Sequence, residues 1–452
     1  MPKTAEKQHV KDILQVAAEA LESGTLRKLR AMVNDLHPAE IAHLLESMPS
    51  PQREIVWELV AQENEGDVLV HVNEEVRARL IRTMDTRELI AATAGLDTDD
   101  LADLLQTLPN TVIQQVLRSM DKQNRQRLEQ VLSYREDSAG GLMNTDTITV
   151  RADVTLDVVL RYLRLRGAIP ALTDNLIVVN RHDHYLGVLP LTELLTKDPD
   201  LTVAEVMDGE LEGIAATTPE REVANLFERR DLVSAPVVDD SGRLLGRITI
   251  DDVVDVIRDE AEHSLMSLTG LSEEDDIFSP VLPAARRRAL WLGINLLTAF
   301  LASSVVGLFQ HTINQVVALA VLMPIVASMG GIAGSQTLTL VIRGLALGQL
   351  GETNVRWLLF KEVAVSVLNG LLWAAVVAVV VVAWFDNLRL GGIIAAAMVI
   401  NLLCAALAGV AIPLVERRLG IDPALAGTVV LTTVTDVMGF FSFLGLASLF
   451  LT

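Results

Sequence analysis

The chain has 452 residues with 37 basic and 58 acidic side chains, a net charge of −21, and a single cysteine. From Arg286 onward there are 9 basic and 6 acidic residues, so the first 285 hold 28 and 52 and carry a net −24. An acidic, soluble front half is thus joined to an apolar back half, which argues against nucleic acid as a partner and for cations or basic surfaces.

The opening MPKTAEKQHVKDIL is charged and amphipathic with no apolar core, so no signal peptide is expected and the front half should stay in the cytosol. Residues 1 to about 133 read as short amphipathic helices, with AHLLESMP from Ala42 recurring sixty residues later as ADLLQTLP from Ala102. In LDTDDLADLL, Asp99 and Asp103 stand one helical turn apart on one face, open to two readings: a solvated face or a cation-binding one.

A second recurrence follows. IVVNRHDHYLGVLPLTELL and PVVDDSGRLLGRITIDDVV align at a constant offset of 59, matching Val178 and Gly187 with Val237 and Gly246. Each copy spells strand, turn, strand and the start of a helix, and the pair resembles a tandem CBS module, which often senses adenine nucleotides. In the second copy Gly246, Thr249 and Asp252 match the nucleotide-binding pattern, so ATP at the CBS pair is a candidate cofactor; Pro190 and Glu193 replace the pattern in the first copy. Beyond it, Asp252, Asp255 and Asp259 fall at i, i+3 and i+7 on one helix face. Their repulsion opposes the helix, and a divalent cation would reverse that sign. A solvated face is the alternative.

Five apolar segments come next, over Ala289–Phe309, Ile313–Ile342, Val363–Phe385, Leu390–Val415 and Ala424–Leu451. Arg286–Arg288, Arg343 with Arg356 and Lys361, and Arg417 with Arg418 flank alternate ends, which predicts a cytosolic N-terminus and an outside C-terminus in a multi-pass protein of the cytoplasmic membrane. Cys404, inside the fourth segment, reads as a small buried hydrophobe. Pro324 and Gly330–Gly331 are expected to weaken the second helix at mid-membrane depth, and Ser335, Gln336, Thr337 and Thr339 supply oxygens for helix packing, pore lining or both.

The last segment carries the sharpest signal. Asp436 is the only charge between Pro423 and Thr452, and Thr428, Thr432 and Asp436 fall at i, i+4 and i+8 with Thr435 beside them. An intramembrane carboxylate costs at least a few kcal/mol and normally faces a water path or a bundle interior. Either a mobile cation or proton meets it, or it is a neutral acid hydrogen-bonded between helices. A Mg2+ ion, which takes oxygen ligands and keeps several waters, fits one carboxylate flanked by threonines. In a two-fold dimer two copies of Asp436 would meet at the axis.

Along its whole length the chain resembles the MgtE family of magnesium channels: YREDSAGGLM from Tyr134 resembles that family's lead into the CBS pair, and MPIVASMGGIAGSQTLTLVIRGLA, RRLGIDPALAG and TTVTDVMG resemble its membrane motifs. The resemblance implies a homodimer in the lipid bilayer, with one central path for divalent cations, closed when cytosolic Mg2+ binds between the N-terminal and CBS domains. It puts Asp436 on the pore carboxylate, Asp99, Asp103, Asp252 and Asp255 on the regulatory acids, and Asp67 and Glu260 more loosely among them. This chain departs from the family pattern at Ile332 and Thr428, where asparagine is usual, and at His263 and Ser264, where acids are expected.

The reading is a multi-domain protein: an all-α acidic N-terminal domain (1–135), an α/β tandem CBS pair (136–200 and 201–262), a connecting plug helix (263–286) and a five-helix all-α transmembrane domain (287–452). Its expected function is Mg2+ uptake gated closed by cytosolic Mg2+. The alternatives are exchange of Mg2+ or Co2+ against H+ or Na+, and a nucleotide-responsive receptor. The eight histidines are scattered with no HExxH spacing, so no enzyme is expected.

Overall fold

The computed structural model describes residues 13, 16–17, 19–20, 25–106, 108–267, 271, 277–351 and 353–451. They fall into two compact units, one ending at residue 261 and rejoined by 277–279, the other made of 262–267 and 280–451. Most of the opening peptide lies outside the described residues.

Among the described residues, nine short helices run in succession from Leu26: α1 (Leu26–Asn34), α2 (Pro38–Glu46), α3 (Ser50–Trp57), α4 (Gln62–His71), α5 (Glu74–Thr83), α6 (Thr86–Thr93), α7 (Thr98–Gln106), α8 (Asn110–Ser119) and α9 (Lys122–Val131). They start at residues 26, 38, 50, 62, 74, 86, 98, 110 and 122, one every twelve residues. The sixty-residue recurrence is five of these steps, and it puts Ala42, Leu44 and Leu45 of α2, and Ala102, Leu104 and Leu105 of α7, in equivalent buried positions. Side-chain caps mark several starts: Asn73 accepts from the Val76 N–H, Asp85 from Arg87 and Glu88, and Asp121 from Gln123 and Asn124. Arginines one helix on close the opposite ends. Arg53 Nε donates to Leu45 O at 2.8 Å, a guanidinium nitrogen of Arg77 to Val70 O at 3.0 Å, and Arg125 Nε to Leu117 O at 2.5 Å.

Two three-stranded sheets follow. β1 (Thr149–Arg151), β2 (Asn175–Val179) and β3 (Tyr185–Pro190) form the first, and β4 (Ile214–Ala215), β5 (Ser234–Val238) and β6 (Leu244–Thr249) the second. In each, the first pair is parallel and the second antiparallel. Val178 pairs with Gly187 and Val237 with Gly246, each hairpin shifting register one residue later, so the offset of 59 is reproduced down to the irregularity. Arg247 joins the copies by donating to Ala171 O at 2.7 Å and to the Thr173 hydroxyl at 3.2 Å.

The helix Ile250–Ser267 starts directly after β6. The connecting helix therefore does not run over 263–286: it grows out of the second CBS copy and ends at Ser267. The next helix begins at Val281 behind Pro280, a residue that lacks an N–H and favours a helix's first turn. Residues 268–270 and 272–276, and the Ser264 side chain, lie outside the described residues.

Among the described residues of the second unit, five helices are long and apolar enough to cross a membrane: Val281–Leu308, Ala318–Ala346, Val355–Phe385, Leu388–Arg418 and Pro423–Phe450. Most start before or end beyond the apolar segments, because flanking charged residues continue the helices. The second starts later than expected, since a short helix, Gln310–Gln315, intervenes and the chain leaves helical geometry at Val316. Pro324 and Gly330–Gly331 do not interrupt the second span; the whole of Ala318–Ala346 is helical. Cys404, expected buried, is half-buried.

Candidate cation sites

In the membrane unit the second and fifth spans are drawn together by the fourth. Asn401, 1% exposed, donates from Nδ2 to Val326 O at 2.9 Å. A Cβ built on Gly330 would come within 2.1 Å of that Nδ2, and one on Gly334 within 2.9 Å of Leu431. Small residues let the backbones approach, which is why the glycines occur without a break in the helix. Gly330→Ala should expel the Asn401 amide and destabilise the protein by about 1–3 kcal/mol, the cost of an orphaned buried group; thermal unfolding in detergent measures it.

The opposite face of the second span borders an open groove of about 920 Å³, with Ser328, Ile332, Ser335, Gln336 and Thr339 on one wall and Thr432 and Asp436 of the fifth span on the other. Packing and groove lining are thus two faces of one helix. Asp436 is half-buried and has no basic partner among the described residues. The Thr432 hydroxyl donates to Thr428 O at 2.8 Å, which leaves its oxygen free to accept from water or meet a cation. Thr428 does not border the groove, and Thr435 is fully buried with its hydroxyl on Thr432 O. Thr337 is buried and turned away: its hydroxyl donates to Glu362 Oε2 at 3.0 Å, while Lys361 Nζ lies 3.0 Å from Oε1. Glu362 directly precedes the apolar segment Val363–Phe385, so nothing in the sequence marks it as an intramembrane charge.

The first unit gathers acids from three separate stretches. Asp99 is 6% exposed, at the start of α7, and accepts from Asn144 Nδ2 at 3.2 Å. Burial first, then the Asp100 charge, hold its carboxyl well above the usual carboxylate range; burial and then Asp99 do the same for Asp252. Asp100 is pushed up to about 6 by burial, with Asp97, Asp251, Asp67 and Asp255 adding repulsion. Asp103 is pushed up to about 7 by burial and the Glu136 charge, against a smaller opposing effect of Arg77. The structure thus brings Asp67, Asp99, Asp103, Asp252 and Asp255 into one neighbourhood and adds Asp97, Asp100, Asp251 and Glu136. The added aspartates were present in the same sequence motifs, but spacing alone gave no reason to choose them.

Other candidates have partners of their own. Arg221 donates twice to Glu260 Oε2, at 3.1 and 2.6 Å, and Arg258 lies 3.3 Å from Asp255 and 3.2 Å from Asp259. Thr249 donates to Asp251 at 2.5 Å and to Asp252 at 3.2 Å, and a Cβ on Gly246 would come within 2.6 Å of Asn144 O. Among the described residues, no three acid, histidine or cysteine side chains are arranged to hold a bare metal ion. A hydrated ion bridging fewer carboxylates through water asks for less.

These sites can be set beside known proteins. The chain is 34% identical over 439 residues to the magnesium transporter MgtE of Thermus thermophilus, covering 96% of this chain and 97% of that one. It belongs to the MgtE family. It is also 27% identical over 431 residues to the MgtE of Bacillus subtilis, covering 95% and 96% of the two chains. Residues 323–446 match the family described as a divalent cation transporter, 36–137 the MgtE intracellular N domain, and 139–200 and 203–259 the CBS domain. A crystal structure of the cytosolic domain of the Mg2+ channel MgtE, in complex with ATP, is 33% identical with a TM-score of 0.49, covering 54% of this chain and 99% of that one. As an MgtE-family protein the chain is a membrane transporter for divalent cations, with an all-α N-terminal domain, a CBS pair, a connecting helix and five membrane helices.

Proposed function

We propose that this MgtE-family chain admits Mg2+ to the cytosol past Asp436, and that cytosolic Mg2+ closes the path by binding the acids around Asp99 and Asp252. The observation that carries the first part is the Asp436 carboxylate bordering a groove beside four hydroxyl side chains and the Gln336 amide, with no basic partner among the described residues. A hydrated Mg2+ brings the charge that Asp436 lacks, while Thr432, Ser335 and Gln336 accept hydrogen bonds from its waters. An inside-negative potential drives it inward, at about 2.3 kcal/mol per charge per 100 mV.

Gating follows from the crowded carboxylates. Without metal they repel or hold protons; Mg2+ between the N-terminal helices and the CBS pair favours the compact arrangement, a population shift carried along the helix Ile250–Ser267. Thr249 and Asp252 serve this cluster, which leaves ATP a role that nucleotide titration of the purified protein would decide. A homodimer completes the path with two copies of Asp436. Its support is the helix Leu156–Arg166, where Val158, Tyr162 and Leu165 are 43, 43 and 88% exposed at i, i+4 and i+7, an apolar stripe suited to a second copy. The deciding experiment is flux in liposomes, with each divalent ion in turn and internal Mg2+ varied. Flux that needs an opposing H+ or Na+ gradient would overturn the channel reading.

Ile332 is 57% exposed on the groove wall. Ile332→Asn adds an amide there, and it should change discrimination among Mg2+, Co2+ and Ni2+ more than it changes stability. Competition flux assays check this; unaltered discrimination would remove the position from the filter.

A further inference from the structure

Asp422 stands at the head of the fifth span, where its Oδ1 accepts the Ala424 N–H at 2.8 Å and caps the helix that carries Asp436. Its other oxygen, Oδ2, lies 2.8 Å from Nε2 of His263, near the end of the helix Ile250–Ser267. The Ser267 hydroxyl lies 3.3 Å from the same nitrogen. In the last turn of the fourth span, Glu416 is 6% exposed and its Oε2 has no hydrogen-bond partner. That oxygen lies against Gly427, in the first turns of the fifth span, where an added Cβ would come within 3.2 Å of it. The charges of Asp422 and Glu416 are close enough to act on each other. Transport past Asp436 uses none of these three side chains.

We propose that His263, Asp422 and Glu416 form a proton-sensing clasp between the end of the connecting helix and the head of the fifth span, by which cytosolic pH sets conduction independently of the acidic cluster. Neutral imidazole can donate one hydrogen bond to the Asp422 carboxylate, whereas imidazolium keeps that bond and adds the attraction of opposite charges across it. Histidine changes charge within the physiological range. Among the described residues, Asp422 Oδ2 and the Ser267 hydroxyl meet His263; one turn back on its own helix, Asp259 is paired with Arg258 and Glu260 with Arg221, and Glu416 acts on Asp422 from the fourth span. Arg417 and Arg418 stand exposed beyond Glu416. Protonation of Glu416 removes its repulsion of Asp422 and supplies a donor for the orphaned oxygen's neighbourhood. Acid therefore tightens the clasp at both ends, and alkali loosens it at both.

The proposal rests on the transport reading only where flux is the readout, so the test has a second one. Full-length protein in liposomes is assayed at fixed, low internal Mg2+ while internal pH is stepped from about 6 to about 8. Wild type should change its flux about fivefold, at the low end of ordinary coupling between sites. His263→Gln and Asp422→Asn should each flatten the profile, the latter keeping a side chain that still caps a helix; Glu416→Gln should shrink it. In parallel, the imidazole 15N signal missing from His263→Gln should titrate at lower pH in Asp422→Asn than in wild type. An undiminished pH profile in His263→Gln, or an unshifted imidazole titration in Asp422→Asn, would overturn the clasp. If wild-type protein conducts nothing, the transport reading fails and the imidazole titration still decides the clasp.

Discussion

Liposomes carrying Asp436→Ala should show divalent-cation flux reduced at least about tenfold, the effect of losing 1.4 kcal/mol or more of ion stabilisation, from a protein that is no less stable than wild type. The two halves of that expectation come from one fact. A carboxylate near the centre of a membrane helix costs about 2.5–3.5 kcal/mol on insertion scales, and no basic side chain among the described residues offsets it here. Removing it should leave the melting temperature equal or higher while removing the charge that meets the ion. Asp436→Asn separates charge from shape, since it keeps an oxygen on the groove beside Thr432. Wild-type flux in both variants would refute the assignment, and a lowered melting temperature would point to a packing role instead.

The second large effect concerns the cytosolic acids. Neutralising Asp99, Asp103, Asp252 and Asp255 together, each to Asn, should yield a protein that conducts but no longer closes at millimolar internal Mg2+. Stability should also respond differently to pH in the two proteins. Because the folded state holds protons on these carboxyls that the unfolded chain has released, their contribution is full below about pH 4. It is lost as pH rises through about 7 for Asp99 and Asp103 and through about 9 for Asp252. Metal-free wild type should therefore lose melting temperature between about pH 5 and pH 8, and Mg2+ should restore it by binding the folded state alone. The quadruple variant should show a shallower pH slope and little response to Mg2+. Melting curves across pH with and without Mg2+ test this. If wild type neither responds to Mg2+ in the melt nor closes in the flux assay, the acids do not gate the path.

Legibility differed from feature to feature. The offset of 59 in the CBS pair was readable because each strand position carries a distinct apolar or glycine requirement, and it reappears as the pairing of Val178 with Gly187 and Val237 with Gly246. The twelve-residue step of the N-terminal helices was not, since each unit repeats only a cap, a few apolar positions and an occasional arginine. Only the five-step recurrence at Ala42 and Ala102 stood out. The stripe of Thr432 and Asp436 was readable from helical spacing, yet that spacing also enlisted Thr428, which stays off the groove.

By itself the sequence determined the division into an acidic cytosolic half and an apolar membrane half, the repeats, and the isolated charge at Asp436. Composition and periodicity are properties of single segments, and burial of apolar surface acts on them wherever the segment lands. Only the tertiary structure decided that Gly330 faces Asn401 while Ile332 faces the groove, that Asp99 and Asp252 press on each other's charge, and that His263 reaches Asp422. Periodicity names the residues that share a face of one helix. Which faces meet is settled by close packing between segments far apart in the chain, and no local pattern encodes it.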